Sequence, residues 1–173
     1  MRHLIFTFLL LLAFGSAKAQ RTFIGVPKGT KQVTIEVDSA TAVKHLKKVL
    51  FDAGLMVEID KDGYFKTTNS AQVSVLLLFL SGQITYQDTI ATIIMQGMVD
   101  DSFFTNVAMG VLANSSGGKS FSQLKLQKQG RADVMYRAFC KMLQIAQQVG
   151  PVKWQDNGSA TLIKIYPEDI ARD

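Results

Sequence analysis

Apolar and polar residues alternate through KQVTIEV, where Val33, Ile35 and Val37 are separated by Thr34 and Glu36. A period of two marks a strand with one buried face, and it predicts that regular structure begins near Lys31. Asp38 or Ser39 then offers a side-chain oxygen to the orphan amides of a helix start, and Val43, Leu46, Val49 and Leu50 recur on one face up to Gly54. Alternation resumes in Leu55, Val57 and Ile59, breaks at Lys61-Asp62-Gly63 and continues in YFKTT, which predicts a hairpin on an Asp-Gly turn. Residues 20–30 (QRTFIGVPKGT) hold Pro27, Gly25 and Gly29, lack a period and read as a leader into the fold.

From Gln72 to Val99 the stretches VSVLLLFL, ITY and TIATIIM predict two long strands, with a break at Gln87-Asp88 and with Ser81-Gly82 either a turn or a bulge in the first. Alternation in VSVLLLFL assigns Val73, Val75, Leu77 and Phe79 to the face under the helices, and Leu76, Leu78 and Leu80 to the other. Phe104, Val107, Ala108, Val111 and Leu112 have helical spacing and predict a short helix within 100–120, after which Leu124 and Leu126 restore alternation. The strongest helix runs from Ala132 to Val149. Val134, Ala138, Met142, Ile145 and Val149 form its apolar stripe, Met135, Phe139 and Ala146 widen it, and Gly150-Pro151 ends it. Trp154, an Asn157-Gly158 turn and TLIKIY predict a final hairpin or edge strand closed by Pro167.

The order β-α-β-β-β-β-β-α predicts an α+β fold, an antiparallel sheet of about five to six strands packed on one face by two helices. With the phrase GLMVEIDKDGYFKTT after the first helix, this order resembles the helix-grip, or TBP-like, half of small bacterial envelope domains, including those of outer-membrane assembly lipoproteins. The resemblance spans Lys31 to Val149 and implies a fold. It carries over no functional residue, since such domains share no catalytic motif that can be matched here, and fold alone does not give function.

The start of the chain changes where this fold is expected to work. Arg2 and His3 precede an apolar run, Leu4 to Phe14, which passes into Ala17-Lys18-Ala19. A basic start, a short apolar core and an A-x-A site describe a secretory signal peptide over residues 1–19, and the run is too short for a membrane span of roughly 20 residues. No Cys follows the site, so the product is expected to be exported without a lipid anchor, to the periplasm or beyond. Removing Arg2 and Lys18 from the 19 basic residues leaves 17 against 14 acidic, so the formal +5 falls to about +3. At 47% hydrophobic and 19% charged residues, with three Pro, the 173-residue chain has the composition of a folded domain, and its single Cys excludes a disulfide scaffold or a cysteine-built zinc site.

Candidate chemistry is sparse. Ala113-Asn-Ser-Ser-Gly-Gly118-Lys119-Ser120 matches a relaxed phosphate loop, but Ala stands at the first position and a strand-like FSQLKLQK follows where the mechanism needs a helix, so a surface loop is expected. Asp60-Lys61-Asp62-Gly63 lacks the later ligands of a calcium loop and reads as a turn. Asp88, Asp100 and Asp101 would serve an Asp-based hydrolase only if strand ends brought them together. His45 falls on the solvent side of the first helix among Lys44, Lys47 and Lys48, a poor base that cannot alone complete a metal site, and Cys140 is expected to be a buried thiol. No cofactor or metal is expected.

Two basic groups remain, Lys44, Lys47 and Lys48 on the first helix, and Lys119, Lys125, Lys128 and Arg131 before the second. Either can meet an acidic envelope protein or an anionic surface glycolipid, whereas nucleic acid would call for interleaved aromatic residues. The outward set Leu76, Leu78 and Leu80 needs cover from the chain itself, a partner's surface, a second copy or a lipidic ligand held between sheet and helix. The expected function is therefore an exported, non-catalytic binding module of the cell envelope. The alternative is a carrier for a small apolar ligand between the final helix and the sheet, lined by Met135, Phe139, Met142 and Phe79.

Overall fold

Two long strands organise the chain. The computed structural model describes residues 22–100, 121–128, 130, 133–154 and 158–171. Its elements are β1 (Ile24–Pro27), β2 (Gln32–Asp38), α1 (Ala42–Asp52), β3 (Val57–Ile59), β4 (Tyr64–Thr67), β5 (Ala71–Val73), β6 (Leu76–Gln87), β7 (Ile90–Asp100), β8 (Phe121–Gln123), α2 (Val134–Val149), β9 (Val152–Lys153), β10 (Leu162–Ile165) and α3 (Pro167–Ile170). The fold is α+β, with a large antiparallel sheet in the order β3-β4-β6-β7-β2-β9 that does not close into a barrel. β6 and β7 pair along their lengths through a turn at Asp88-Thr89, with Asp88 at φ 53°.

Each long strand shares one edge between two short ones. β4 and β5 both pair with β6, and β2 and β8 both pair with β7. The sheet is thus six strands across but contains eight strands among the described residues, more than the five to six expected. The expected leader also contributes a strand, since β1 pairs with β10 in a separate two-stranded ribbon. There Lys164 Nζ lies 4.6 Å from the centre of the Phe23 ring, which meets Tyr166 edge to face. A third helix, the short α3, begins at Pro167, where a ring-locked φ favours a helix start.

The core lies between one sheet face and the layer of α1 and α2. Val33, Ile35, Ile93, Met95, Leu78, Leu80 and Ile84 meet Leu46, Leu50, Phe139, Met142 and Leu143 there, all nearly or fully excluded from water. Each such side chain contributes about 1.5–3 kcal/mol by leaving water. Asp133 caps α2 by accepting from the Met135 and Tyr136 amides at 2.9 and 3.2 Å. The α1 start differs from expectation: its cap residue is Thr41, whose hydroxyl donates back to Asp38 and bonds no helix amide.

Leu76, Leu78 and Leu80 face the helices, opposite to expectation. Unbroken alternation requires one strand to continue through Ser74-Val75, but the chain reverses there: Val73 pairs with Leu76, and Ser74 adopts φ 59°. A two-residue turn puts its flanking residues on the same side, so parity flips for everything after it. Leu77 and Phe79 consequently lie on the second face, opposite Asp100 and Met98 of β7. Ser81-Gly82 is neither a turn nor a break in pairing. Gly82 sits opposite Phe65, and a Cβ there would lie 2.7 Å from the Phe65 ring and collide with the Ile94 carbonyl.

Candidate docking surface

Helical spacing gathers Lys44, Lys47, Lys48 and Phe51 into one stripe on α1, at positions i, i+3, i+4 and i+7. The opposite side of the helix is sealed by Ala42, Leu46, Val49 and Leu50, which fixes the stripe toward solvent. Phe51 is 73% exposed. Lys48 holds Asp52 at 2.7 Å, an exposed i, i+4 pair worth about 0.3–0.5 kcal/mol, while Lys44 and Lys47 have no ion pair among the described residues. Elsewhere the exposed lysines Lys66 and Lys153 are matched across strands by Glu58 and Glu36, at 3.5 and 2.7 Å.

The turn after α1 brings a second apolar side chain beside Phe51. Gly54 takes φ 76°, its amide bonds the Phe51 carbonyl at 2.9 Å and the Leu55 amide bonds the Leu50 carbonyl at 2.8 Å. This is the paired helix-end motif that satisfies carbonyls otherwise left without partners. Leu55 drops into the core and Met56 is displayed at 64% exposure. Asn69 clamps the turn from across the sheet edge: its Oδ1 accepts from the Met56 amide at 2.6 Å, and its Nδ2 donates to the Gly54 carbonyl at 2.8 Å. The Thr68 amide adds a bond to the Met56 carbonyl at 2.9 Å. Lys47, Lys48, Phe51, Leu55, Met56 and Val57 line a shallow depression of about 440 Å³.

Of the residues singled out by sequence, the three lysines therefore share one surface. Phe51, Met56 and Asn69 were missed. Phe51 and Met56 interrupt no period, and the Asn69 contact spans 13 and 15 residues of chain, so only the Gly54 stop signal pointed toward this place. The expected carrier lining does not assemble. Phe139 and Met142 are fully buried in the helix-facing core and Met135 is half-buried, but Phe79 lies across the β6 backbone on the second face, where it meets Phe121 edge to face at 5.4 Å. That face also carries a polar chain, Gln123 Nε2 to Gln96 Oε1 at 3.1 Å and Gln96 Nε2 to Ser81 Oγ at 3.3 Å.

The carboxylates of the hydrolase scheme do not converge either. Asp88 occupies the β6–β7 turn and Asp100 the far end of β7, about 35 Å away along a strand rising roughly 3.4 Å per residue. Asp101, the phosphate-loop-like segment, the expected helix within 100–120, Lys119 and Arg131, and the expected signal peptide over residues 1–19 all lie outside the described residues. Asp60 organises the β3–β4 turn as expected, its Oδ1 accepting from the Asp62 and Tyr64 amides at 2.9 Å each, with Gly63 at φ 80°. His45 is exposed, with Nε2 3.1 Å from the Gln148 carbonyl. Among the described residues no cluster of His, Cys, Asp and Glu is placed to hold a metal, and no helix is long and apolar enough to cross a membrane.

Cys140 is buried beside Tyr136, whose hydroxyl donates to Asp169 Oδ2 at 2.8 Å. Burial first, and then the Asp169 charge, push the thiol up to about 12, while its hydrogen bond with Tyr136 opposes them. Burial and the hydrogen bond to Asp169 raise the Tyr136 hydroxyl well above the ordinary phenol range. A thiol so protonated is a packing group. Comparison with protein-family models, curated proteins and solved structures finds no match.

Proposed function

We propose that the protein is an exported, non-catalytic contact module of the cell envelope, which meets an envelope protein or a surface glycolipid through the α1 edge. The observation that carries this reading is the pairing of Phe51 and Met56, both well exposed, on a turn clamped by Asn69 and beside Lys44 and Lys47, which have no ion pair among the described residues. Leaving a Phe and a Met in water forgoes about 1.5–3 kcal/mol for each, energy that becomes available when a partner covers them. Bracing of the turn keeps the loop-ordering cost of binding small. The signal-peptide pattern of residues 1–19 and the resemblance to small envelope domains support the location.

Site-specific photocrosslinking tests the reading. A photoreactive residue at position 51 is expected to give an envelope adduct in intact cells, whereas one at Thr85, exposed on the second sheet face, is not. Equal labelling from both positions, or none from position 51, would remove the α1 edge from the account.

A further inference from the structure

The geometry points to an anionic phospholipid surface as the occupant of the α1 edge, an inference that rests on the docking reading above and commits that edge to a membrane leaflet in place of a protein or a glycolipid. Along the stripe, Phe51 stands at the C-terminal end of α1, Lys48 and Lys47 lie about 4.5 and 6 Å back and Lys44 about 10 Å back, at 1.5 Å per residue. Met56 extends the apolar end sideways. An interface has the same layering. Its acyl boundary accepts side chains that need no hydrogen bond, and the phosphates lie several ångströms above, within reach of lysine heads on flexible stems.

Charge selects the sign of the surface. Among the described residues Asp52 is the carboxylate paired with the stripe, through Lys48, which leaves Lys44 and Lys47 without an ion pair and gives the α1 edge an excess of positive charge. A hydrated polysaccharide would answer the lysines but leave Phe51 and Met56 in water. A neutral bilayer would take the two apolar side chains but not the lysines. An anionic phospholipid leaflet satisfies both, and its attraction for each lysine near the surface is about fivefold in binding.

Sedimentation with vesicles of phosphatidylcholine, with and without about one-third phosphatidylglycerol, tests this on the processed protein and on variants sharing its N-terminus. The expected result is binding to the phosphatidylglycerol vesicles that weakens at least tenfold in Lys44→Gln/Lys47→Gln and in Phe51→Ser/Met56→Ser, with unchanged circular dichroism. Asp52→Asn should bind a few-fold tighter, which a nonspecific apolar contact would not predict. Soluble glycerol phosphate at millimolar concentration should not displace the protein; displacement would assign the site to a free phosphate compound and overturn the lipid surface. Equal binding of all variants, or no binding to anionic vesicles, would also overturn it. In the latter case an envelope-protein adduct from position 51 would leave the contact reading standing with a protein as partner, and the absence of both would end the two together.

Discussion

Tyr136 Oη and Asp169 Oδ2 are joined by a 2.8 Å hydrogen bond that ties α3 to the first turn of the core helix α2, and the hydroxyl also lies 3.3 Å from the Lys164 carbonyl. Tyr136 is 2% exposed, so water has little access to its hydroxyl in place of Asp169. Tyr136→Phe is expected to destabilise the fold by about 1.5–3 kcal/mol, the range for hydrogen bonds to charged groups, and Asp169→Asn by less, because an amide oxygen still accepts. Chemical denaturation of the three proteins checks the order.

The same cluster sets a response to alkali. Cys140 titrates near 12 in the folded protein and near 9 when unfolded, so between these values the unfolded chain holds fewer protons than the native one. Stability from this group is complete below pH 9 and is lost progressively as pH rises toward 12, and Tyr136 extends the loss in the same direction. Cys140→Ala should flatten the pH 9–11 slope of the denaturation midpoint. At pH 8 the native thiol should also react with a disulfide reagent about a thousandfold more slowly than in denaturant. Comparable rates in the two conditions would contradict its burial.

Leu77 and Leu78 are neighbours on β6 with opposite fates, 39% and 0% exposed. Leu78→Ala is expected to cost about 2–5 kcal/mol, as for other buried leucines, and Leu77→Ala less than about 1 kcal/mol. Thermal unfolding of the pair distinguishes this register from the inverted one, in which the order would reverse.

Those two residues also show how far the sequence could be read. Strand parity is local and easily seen, and the pattern correctly yields β2, both long strands, α1 and most of α2. Its phase is not local. It depends on whether the chain turns at Ser74-Val75, where neither Gly nor Asn marks the positive φ that Ser74 adopts. Gly82 misled in the opposite sense, because it makes room for Phe65 from another strand and breaks nothing. The leader concealed β1, whose partner β10 lies more than a hundred residues away. At the candidate site, Lys44, Lys47 and Lys48 were legible from helical spacing, whereas the display of Phe51 and Met56 depends on the turn that Asn69 holds.

Asn69 therefore offers a way to loosen the surface without changing its composition. Asn69→Ala removes one acceptor and one donor from the turn and is expected to destabilise the protein by about 1–2 kcal/mol. Exchange of the Met56 amide should rise at least tenfold, beyond the change at core amides such as that of Ile93. A uniform rise over the whole chain would show that Asn69 supports the fold at large instead of this turn.

The most direct measurement is the share of protein retained by the envelope of the producing cells for wild type and for Phe51→Ser/Met56→Ser. Both substitutions fall on exposed side chains, so the melting temperature should stay within about 2 °C while retention falls at least tenfold, the equivalent of about 1.4 kcal/mol of lost contact. Undiminished retention of a folded double variant would show that the protein meets its surroundings by some other face.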